Sequence, residues 1–484
     1  MTHQFYSQLD TLIGQLKRSA IDAYMVWTVQ GGGHFSLNPS SSEYIMYENR
    51  GVNYFVTRPN EHGDGGGTLS SEDHRNFIRG EYNEDPANFW SDPDQFGRAF
   101  DEVRATIDSI LEPWTDLPSL DGFDVQLEYC RKLMGMLASS GSTSKGNLVP
   151  GGLITDDIDA IERKIENMSG GAIGAFKQKF VDKLGSTVGN LHAVATILGA
   201  AMASEREVIS QTRTAVADNV AYATETFDMI AQCQTAQDNI TLKIAAGAAK
   251  AAALFLSGGV ATAAELSAIG LATVSEIPEK EYKLPEGVRT YEEGITWVKS
   301  LFTSINNDVL RGEQAIATSL TKNMEQMHTD HGNYDLTMPP ISTVDGINIE
   351  KEAVVDVGLI NEIITTNMPT MADNLRDASS KAFLIIMSSV AIRDPNVGLG
   401  LAGPNHEFDD LSYTLRQLLS DLAAEVQLGK INLEKVMNLI LETDNASSDS
   451  LKEVVDQIEN RTFDPWDTSR SKLFPPRPGQ DEAL

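Results

Sequence analysis

Between Ile173 and Ile230, apolar or small residues recur at intervals of three and four, with an occasional seven. The set is Ile173, Phe176, Phe180, Leu184, Val188, Leu191, Ala195, Leu198, Met202, Ile209, Val216, Ala223, Phe227 and Ile230. A strand would bring together every second residue. Only a helix gathers threes and fours onto one stripe, and the sevens keep that stripe turned toward partner helices. Unbroken to about residue 240, such a helix would be on the order of 100 Å long at 1.5 Å per residue. Left in water, the stripe would be an exposed apolar surface, so shorter helices from elsewhere in the chain must jacket it. The expected fold is therefore mainly α: an elongated multi-helix bundle built on a long helical hairpin, with a small N-terminal α+β region. Glycines at 174, 185, 189 and 199 predict a kink or a close helix approach in the first half.

The hairpin needs a reversal, and the stretch IENMSGGAIGAF supplies one. Thr155 reads as an N-cap with acids in the first turn of a preceding helix. That helix runs into Met168, Ser169, Gly170 and Gly171, where the glycines give backbone freedom and remove obstructing side chains. The seam that begins with Phe176, Phe180, Leu184, Leu191 and Leu198 would then pack against the returning arm.

The remaining chain divides by pattern. Residues 1–92 read as a small α+β unit, with a helical stripe from Phe5 to Lys17, an alternating segment AYMVWTV, and a hairpin of EYIMYE with VNYFVT. Residues 93–242 hold the hairpin, including a helix stopped near Pro113 and another from Phe123 to Leu137. Residues 243–276 are an Ala-rich apolar αα-hairpin divided at Ser257-Gly258-Gly259, with Leu254, Phe255 and Leu256 at the end of its first arm. Each arm is shorter than the ~20 residues that span a bilayer, which leaves a tightly packed helix pair or a switchable membrane-inserting hairpin. Residues 277–332 return along the bundle as an amphipathic helix opened by the capping box Thr290-x-x-Glu293. Residues 333–446 form a C-terminal helical region, Val354 to Ile392 with Pro369 interrupting and Phe408 to Leu441. Within it, KAFLIIMSSVAI reads as a helix buried in the bundle. Residues 447–484 are a short helix and a Pro-rich tail.

Chemistry-bearing patterns are few. With 38 basic and 69 acidic residues the net charge is -31, which repels phosphate backbones and anionic lipid heads, so no nucleic-acid partner is expected. GGGHFS and GDGGGT lack the Lys-Ser/Thr of a phosphate loop. Glu325, His328 and His331 share a helix face in the manner of one half of a di-iron site, yet no second Glu-x-x-His occurs. No catalytic residue, metal, cofactor or small-molecule substrate is inferred. Two cysteines, Cys130 and Cys233, read as unpaired buried thiols, with a bridge as the alternative. The N-terminus carries no Sec-type signal pattern.

A helix, a small-residue turn, then a helix with an early Phe and a Leu/Ala seam resembles the Trp-x-Gly superfamily of type VII (ESX) secretion substrates, over about residues 96–325. Met168-Ser169-Gly170 stands where Trp-x-Gly would, and Ala172 and Phe176 follow at family-like positions. The turn Trp is Met here, and Tyr222 is followed four residues on by Thr226 where exported pairs carry an acid. Tyr6-x-x-x-Asp10 and Tyr44-x-x-x-Glu48 fit that spacing elsewhere in the chain. The resemblance implies a non-enzymatic protein, secreted or at the cell envelope, that acts through protein partners or self-association, with the cytoplasm as the remaining location. Two alternatives stand beside it: an α-helical pore-forming toxin component inserting residues 244–274, with conditional membrane contact, and a phage or particle structural protein.

Overall fold

The computed structural model describes residues 6–31, 35–39, 42–48, 53–72, 92, 94–138, 141–142, 148–149, 152–169, 171–234, 240–257, 274, 277–334, 336 and 355–442. Within them the fold is mainly α, with a small β region near the N-terminus. Helix α1 (Leu9–Gly31) leads into a four-stranded antiparallel meander, β1 (Phe35–Pro39), β2 (Glu43–Glu48), β3 (Asn53–Thr57) and β4 (Leu69–Ser71). Helices α2 (Gln95–Thr115) and α3 (Leu120–Leu137) follow, then a two-residue ladder of β5 (Gly141–Ser142) with β6 (Leu148–Val149), and α4 (Leu153–Ile165). The long helix begins as α5 (Gly171–Phe176), passes through a π-helical turn (Lys177–Val181) and continues as α6 (Asp182–Ala231). Next come β7 (Ile240–Leu242), the apolar helix α7 (Ile244–Ser257), β8 (Lys280–Tyr282) and α8 (Tyr291–Thr329). Helix α9 (Val357–Glu362) joins through a second π-helical turn (Ile363–Asn367) to α10 (Met368–Phe383), and α11 (Asn405–Glu442) closes the described chain.

Helix α6 is the axis of the bundle. Its 50 residues span about 75 Å at 1.5 Å per residue, and from Ala193 to Glu205 every residue is buried. A stripe covers one side of a helix; burial on all sides requires neighbours all round. They are supplied in succession. Phe180 meets Gly429 of α11. Arg206 donates to Asp124 of α3 at 2.7 Å. Further on, Arg213 lies 4.5 Å over the Tyr6 ring, just before α1, and Phe227 packs on Gly294 at the start of α8. Asn190 donates to the Asn333 carbonyl at 2.7 Å, so α8 runs antiparallel to α6 over most of its length. Of the predicted seam, Phe180, Leu184, Leu191 and Leu198 are buried and Phe176 is half-buried, stacked on Phe180 with centroids 5.3 Å apart.

The reversal is short. Met168 N–H closes onto the Ile165 carbonyl at 3.0 Å, and helix resumes at Gly171. Gly170 lies outside the described residues. Ile158 of α4 then faces Gly185, so α4 covers the first turns of the rod. In its first half the helix passes through the π-helical turn, just after Gly174. The predicted close approach is at Gly199, where an added Cβ would sit 2.4 Å from the Phe255 ring and 3.3 Å from Met134 Sδ.

Several expectations need correction. The rod ends at Ala231, not near residue 240, because Cys233 turns left-handed at φ 59° and its N–H closes onto Ile230. AYMVWTV is no strand: it completes α1, with Ala23, Met25, Val26 and Val29 buried. Thr155 is not the N-cap. Helix α4 starts at Leu153, and the Thr155 hydroxyl instead donates to the Ala138 carbonyl at 2.8 Å. KAFLIIMSSVAI is helical only through Phe383; the C-terminal region 333–446 is broken by a non-helical strap, residues 384–404. The helix through Pro369 is continuous, with that proline placed directly after the π-helical turn Ile363–Asn367, where the winding already departs from the regular α ladder. Neither cysteine is in a disulfide; Cys130 is buried and Cys233 exposed, so the expectation of two buried thiols fails at Cys233. The second arm of the apolar hairpin, with Gly258 and Gly259, lies outside the described residues, as does the tail from residue 443.

The β region shares its interior with the helices. Ile45 pairs with Phe55 as the alternation predicts, and the inward Tyr44 meets Phe100 of α2 edge-on. The Asp22 carboxylate of α1 accepts from the Tyr44 hydroxyl at 2.5 Å and from Arg58 Nε at 2.9 Å. The loop 60–67 is likewise fastened to helices: Arg104 donates to the carbonyls of Gly63 and Gly65. At Gly67, with φ +86°, an added Cβ would lie 2.5 Å from Gly97 Cα. Gly67→Ala therefore combines a left-handed strain with a backbone collision, and a loss of about 2–3 kcal/mol in a urea unfolding titration is expected.

Candidate functional site

Midway along the bundle, two faces of the α6–α8 pair carry polar attachments that the apolar seam does not explain. On one face the strap binds. Arg393 N–H donates to the Leu401 carbonyl at 2.9 Å, folding residues 393–401 back on themselves. That closure presents the guanidinium to two carboxylates. Its Nη1 donates to Glu205 Oε1 of α6 at 2.9 Å and its Nη2 to Glu313 Oε1 of α8. All three side chains are 0% exposed. Glu313 Oε2 accepts from the Leu399 N–H at 2.6 Å, and Asn306 of α8 accepts from Gly398 N–H at 2.8 Å.

The glycines of the strap are what let it come so close. Gly398 (φ +61°) would put a Cβ 2.3 Å from Glu313 Oε2, and Gly403 (φ +57°) would put one 2.8 Å from both Arg393 Nη2 and Glu205 Oε1. Any side chain there would displace the ions and strain a left-handed backbone.

Charge is not balanced in this cluster. Two carboxylates share one guanidinium, and burying an uncompensated charge is costly. Burial pushes the Glu205 carboxyl up, against the pull of Arg393. Burial and then the neighbouring Glu205 carboxylate push Glu313 up to about 8. Both Glu313 oxygens accept hydrogen bonds, whereas Glu205 Oε2 is buried with no partner. Both carboxyls therefore hold a proton more readily than a free glutamate, and Glu205 is the one with an oxygen left unpartnered. Burial works against the Arg393 cation, and the two glutamates more than offset it.

The opposite face of the same layer holds the apolar helix α7. Ser204, next to Glu205, donates to the Ala248 carbonyl at 3.0 Å. Gly312, next to Glu313, would place a Cβ 3.2 Å from Ala245 Cα. Asp308, one turn earlier on α8 and fully buried, accepts from the Ile244 N–H at 3.0 Å, the Ala245 N–H at 3.4 Å and the Tyr282 hydroxyl at 3.3 Å. It pairs with Arg311 at 3.4 Å. A side chain from another helix thus caps α7 and holds the β7–β8 ladder, whose register Ile240↔Tyr282 to Leu242↔Lys280 closes the base of the apolar excursion.

No protein-family model matches the chain, and no curated protein or solved structure does. The Glu–Arg–Glu cluster is closed off from solvent and cross-links the strap to α6 and α8.

The sequence-predicted residues sort as follows. Met168 is half-buried and Ser169 exposed at the reversal. Leu254 is 72% exposed, Leu256 is buried, and Phe255 is half-buried over Gly199 with Arg131 5.8 Å from its ring. Glu325 and His328 lie on the last turns of α8 with His331 just after it; among the described residues no group of three or more His, Cys, Asp or Glu side chains is placed to hold a metal ion. Among the described residues one helical stretch, 177–231, is long and apolar enough to cross a membrane, and 72% of its apolar window is buried by the bundle.

Helix α7 is held mostly by small side chains, with Phe255 over Gly199 as its aromatic anchor. Its buried side chains are Ile244 and Leu256 together with Ala245, Ala246, Ala248, Ala249 and Ala252. An alanine contributes about 0.8 kcal/mol at most, against about 1.5–3 kcal/mol for a buried leucine or isoleucine. Close backbone contact of this kind gives tight fit with little hydrophobic adhesion.

Sequence reading missed the cluster. Glu205 and Arg393 are 188 residues apart, and Glu313 and Arg393 are 80 apart. The available signal was faint: an arginine followed by glycines at 398, 400 and 403, while Glu205 stands in Glu205-Arg206-Glu207 and Glu313 in Arg311-Gly312-Glu313-Gln314, runs that read as ordinary polar helix faces.

Proposed function

We propose that this chain is a non-enzymatic helical protein of the type VII secretion kind, exported or held at the cell envelope, that works by binding protein partners or its own copies. The observation that supports this reading is the short arm α4, the reversal that begins at residues 166–169, and a rod whose seam Phe180, Leu184, Leu191 and Leu198 is packed from both sides of the sequence. Such a rod is a rigid platform, and the bundle layered on it presents α7 at its surface. The test is localisation in the native host with and without the type VII ATPase. Appearance in the culture medium or envelope only when the ATPase is present is expected; an unchanged distribution after its deletion refutes the export reading.

A second reading, a pore-forming component inserting 244–274, draws on one observation: α7 joins α6 to α8 through a short ladder and leaves Leu254 in solvent. Dye release from liposomes that disappears in Leu254→Asp, Leu256→Asp would favour it. No release under acid or protease treatment would count against it.

A further inference from the structure

The geometry points to α7 as a releasable arm, held shut by the Asp308 carboxylate of α8. It rests on α7 being the working part of the molecule and is independent of the export route. Three observations converge. First, the arm adheres largely through alanines: its large side chains against the bundle are Ile244, Leu256 and the half-buried Phe255. Second, its N-terminal turn has no cap of its own. Asp308 accepts its first two N–H groups and also the Tyr282 hydroxyl of β8, so one side chain secures both the helix start and the returning strand. Third, the arm is tethered at the β7–β8 ladder, three residue pairs long, while α6 and α8 meet each other away from it, Phe227 on Gly294 and Tyr222 edge-on to Trp297. Loss of the Asp308 contacts therefore frees the arm, with the two long helices still paired.

The surrounding charges favour the closed state. Arg311 lies 3.4 Å from Asp308 and donates to the Pro278 carbonyl at 2.6 Å, while Glu279 approaches Lys243 at 3.5 Å and Lys250 at 3.8 Å along the arm. These pairs steer the arm into place; the lysines are exposed and hold it weakly.

Hydrogen exchange of the full-length protein, read by mass spectrometry, tests the inference. Asp308→Ala is expected to raise exchange in 244–257 at least tenfold and leave the protection of α6 and α8 at the wild-type level. A cross-link supplies the converse. A Cβ at position 312 would lie 3.6 Å from Ala245 Cβ, inside the roughly 3.5–4.5 Å that a disulfide requires. In a Cys233→Ser background, Ala245→Cys with Gly312→Cys, oxidised, should restore slow exchange to Asp308→Ala, and reduction should undo the rescue. Unchanged arm exchange in Asp308→Ala overturns the inference. So does a loss of protection that spreads through α6 and α8, or an oxidised cross-link that leaves the arm exchanging fast.

Discussion

Arg393→Met is expected to destabilise the protein by about 3–5 kcal/mol, because it leaves two buried carboxylates facing each other with no cation between them. The side chain it removes is fully buried and contacts both Glu205 and Glu313. Methionine fits the aliphatic part of the volume, so the loss measures the charge and not a cavity. Equilibrium urea unfolding at pH 7 gives the number. The control is the triple replacement Glu205→Leu, Glu313→Leu, Arg393→Met, which buries no charge and should recover most of the loss. If the single substitution costs less than about 1 kcal/mol, as an exposed pair would, the ionic strap has no structural role.

The second large effect is on pH dependence. Glu313 is pushed up to about 8 from an ordinary 4.5, and Glu205 is raised as well, in both cases chiefly by burial. A raised carboxyl binds its proton more tightly folded than unfolded. Between the ordinary value and the raised one, the native state therefore holds more protons than the unfolded chain, and stability falls as pH rises through that window. Above about 8 both states are ionised there and the fall levels off. Glu205→Gln removes the surplus negative charge while its amide oxygen still accepts from Arg393. The variant should show a shallower decline between pH 5 and 8 and greater stability than wild type at pH 8. Parallel curves for the two proteins would remove the proton from the account.

The long helix was legible in sequence because its seam of threes and fours extends over many turns, so that no single substitution hides the period. The capping box at Thr290 was equally plain, and both of its reciprocal bonds form: Glu293 N–H to Thr290 Oγ1 at 3.2 Å and Thr290 N–H to Glu293 Oε2 at 3.2 Å. Short apolar runs were not legible, for a physical reason. AYMVWTV alternates well enough for a strand, yet α1 is covered on more than one side, so Ala23, Met25 and Val26 are all buried and period two carries no information. KAFLIIMSSVAI suits a buried helix by composition. An irregular segment buries it as well, because Ile385, Met387 and Ala391 fill the core while Ile392 and Leu401 remain exposed. Its backbone is committed instead to bringing Arg393 to Glu205, a partner that no local pattern reveals. The exposed Cys233 was misplaced by the same limit: whether a helix stops at 231 or 240 depends on one left-handed residue.

The account depends on residues 171–231 being one rod inside a jacket of helices. Spin labels on Ser186→Cys and Glu225→Cys, both at exposed positions on α6, in a Cys233→Ser background, measure that directly by pulsed dipolar spectroscopy. A continuous helix predicts a single narrow distribution with a backbone separation of about 58 Å. A short or broad distribution, as from a rod folded back on itself within the Ala193–Glu205 stretch, would contradict it.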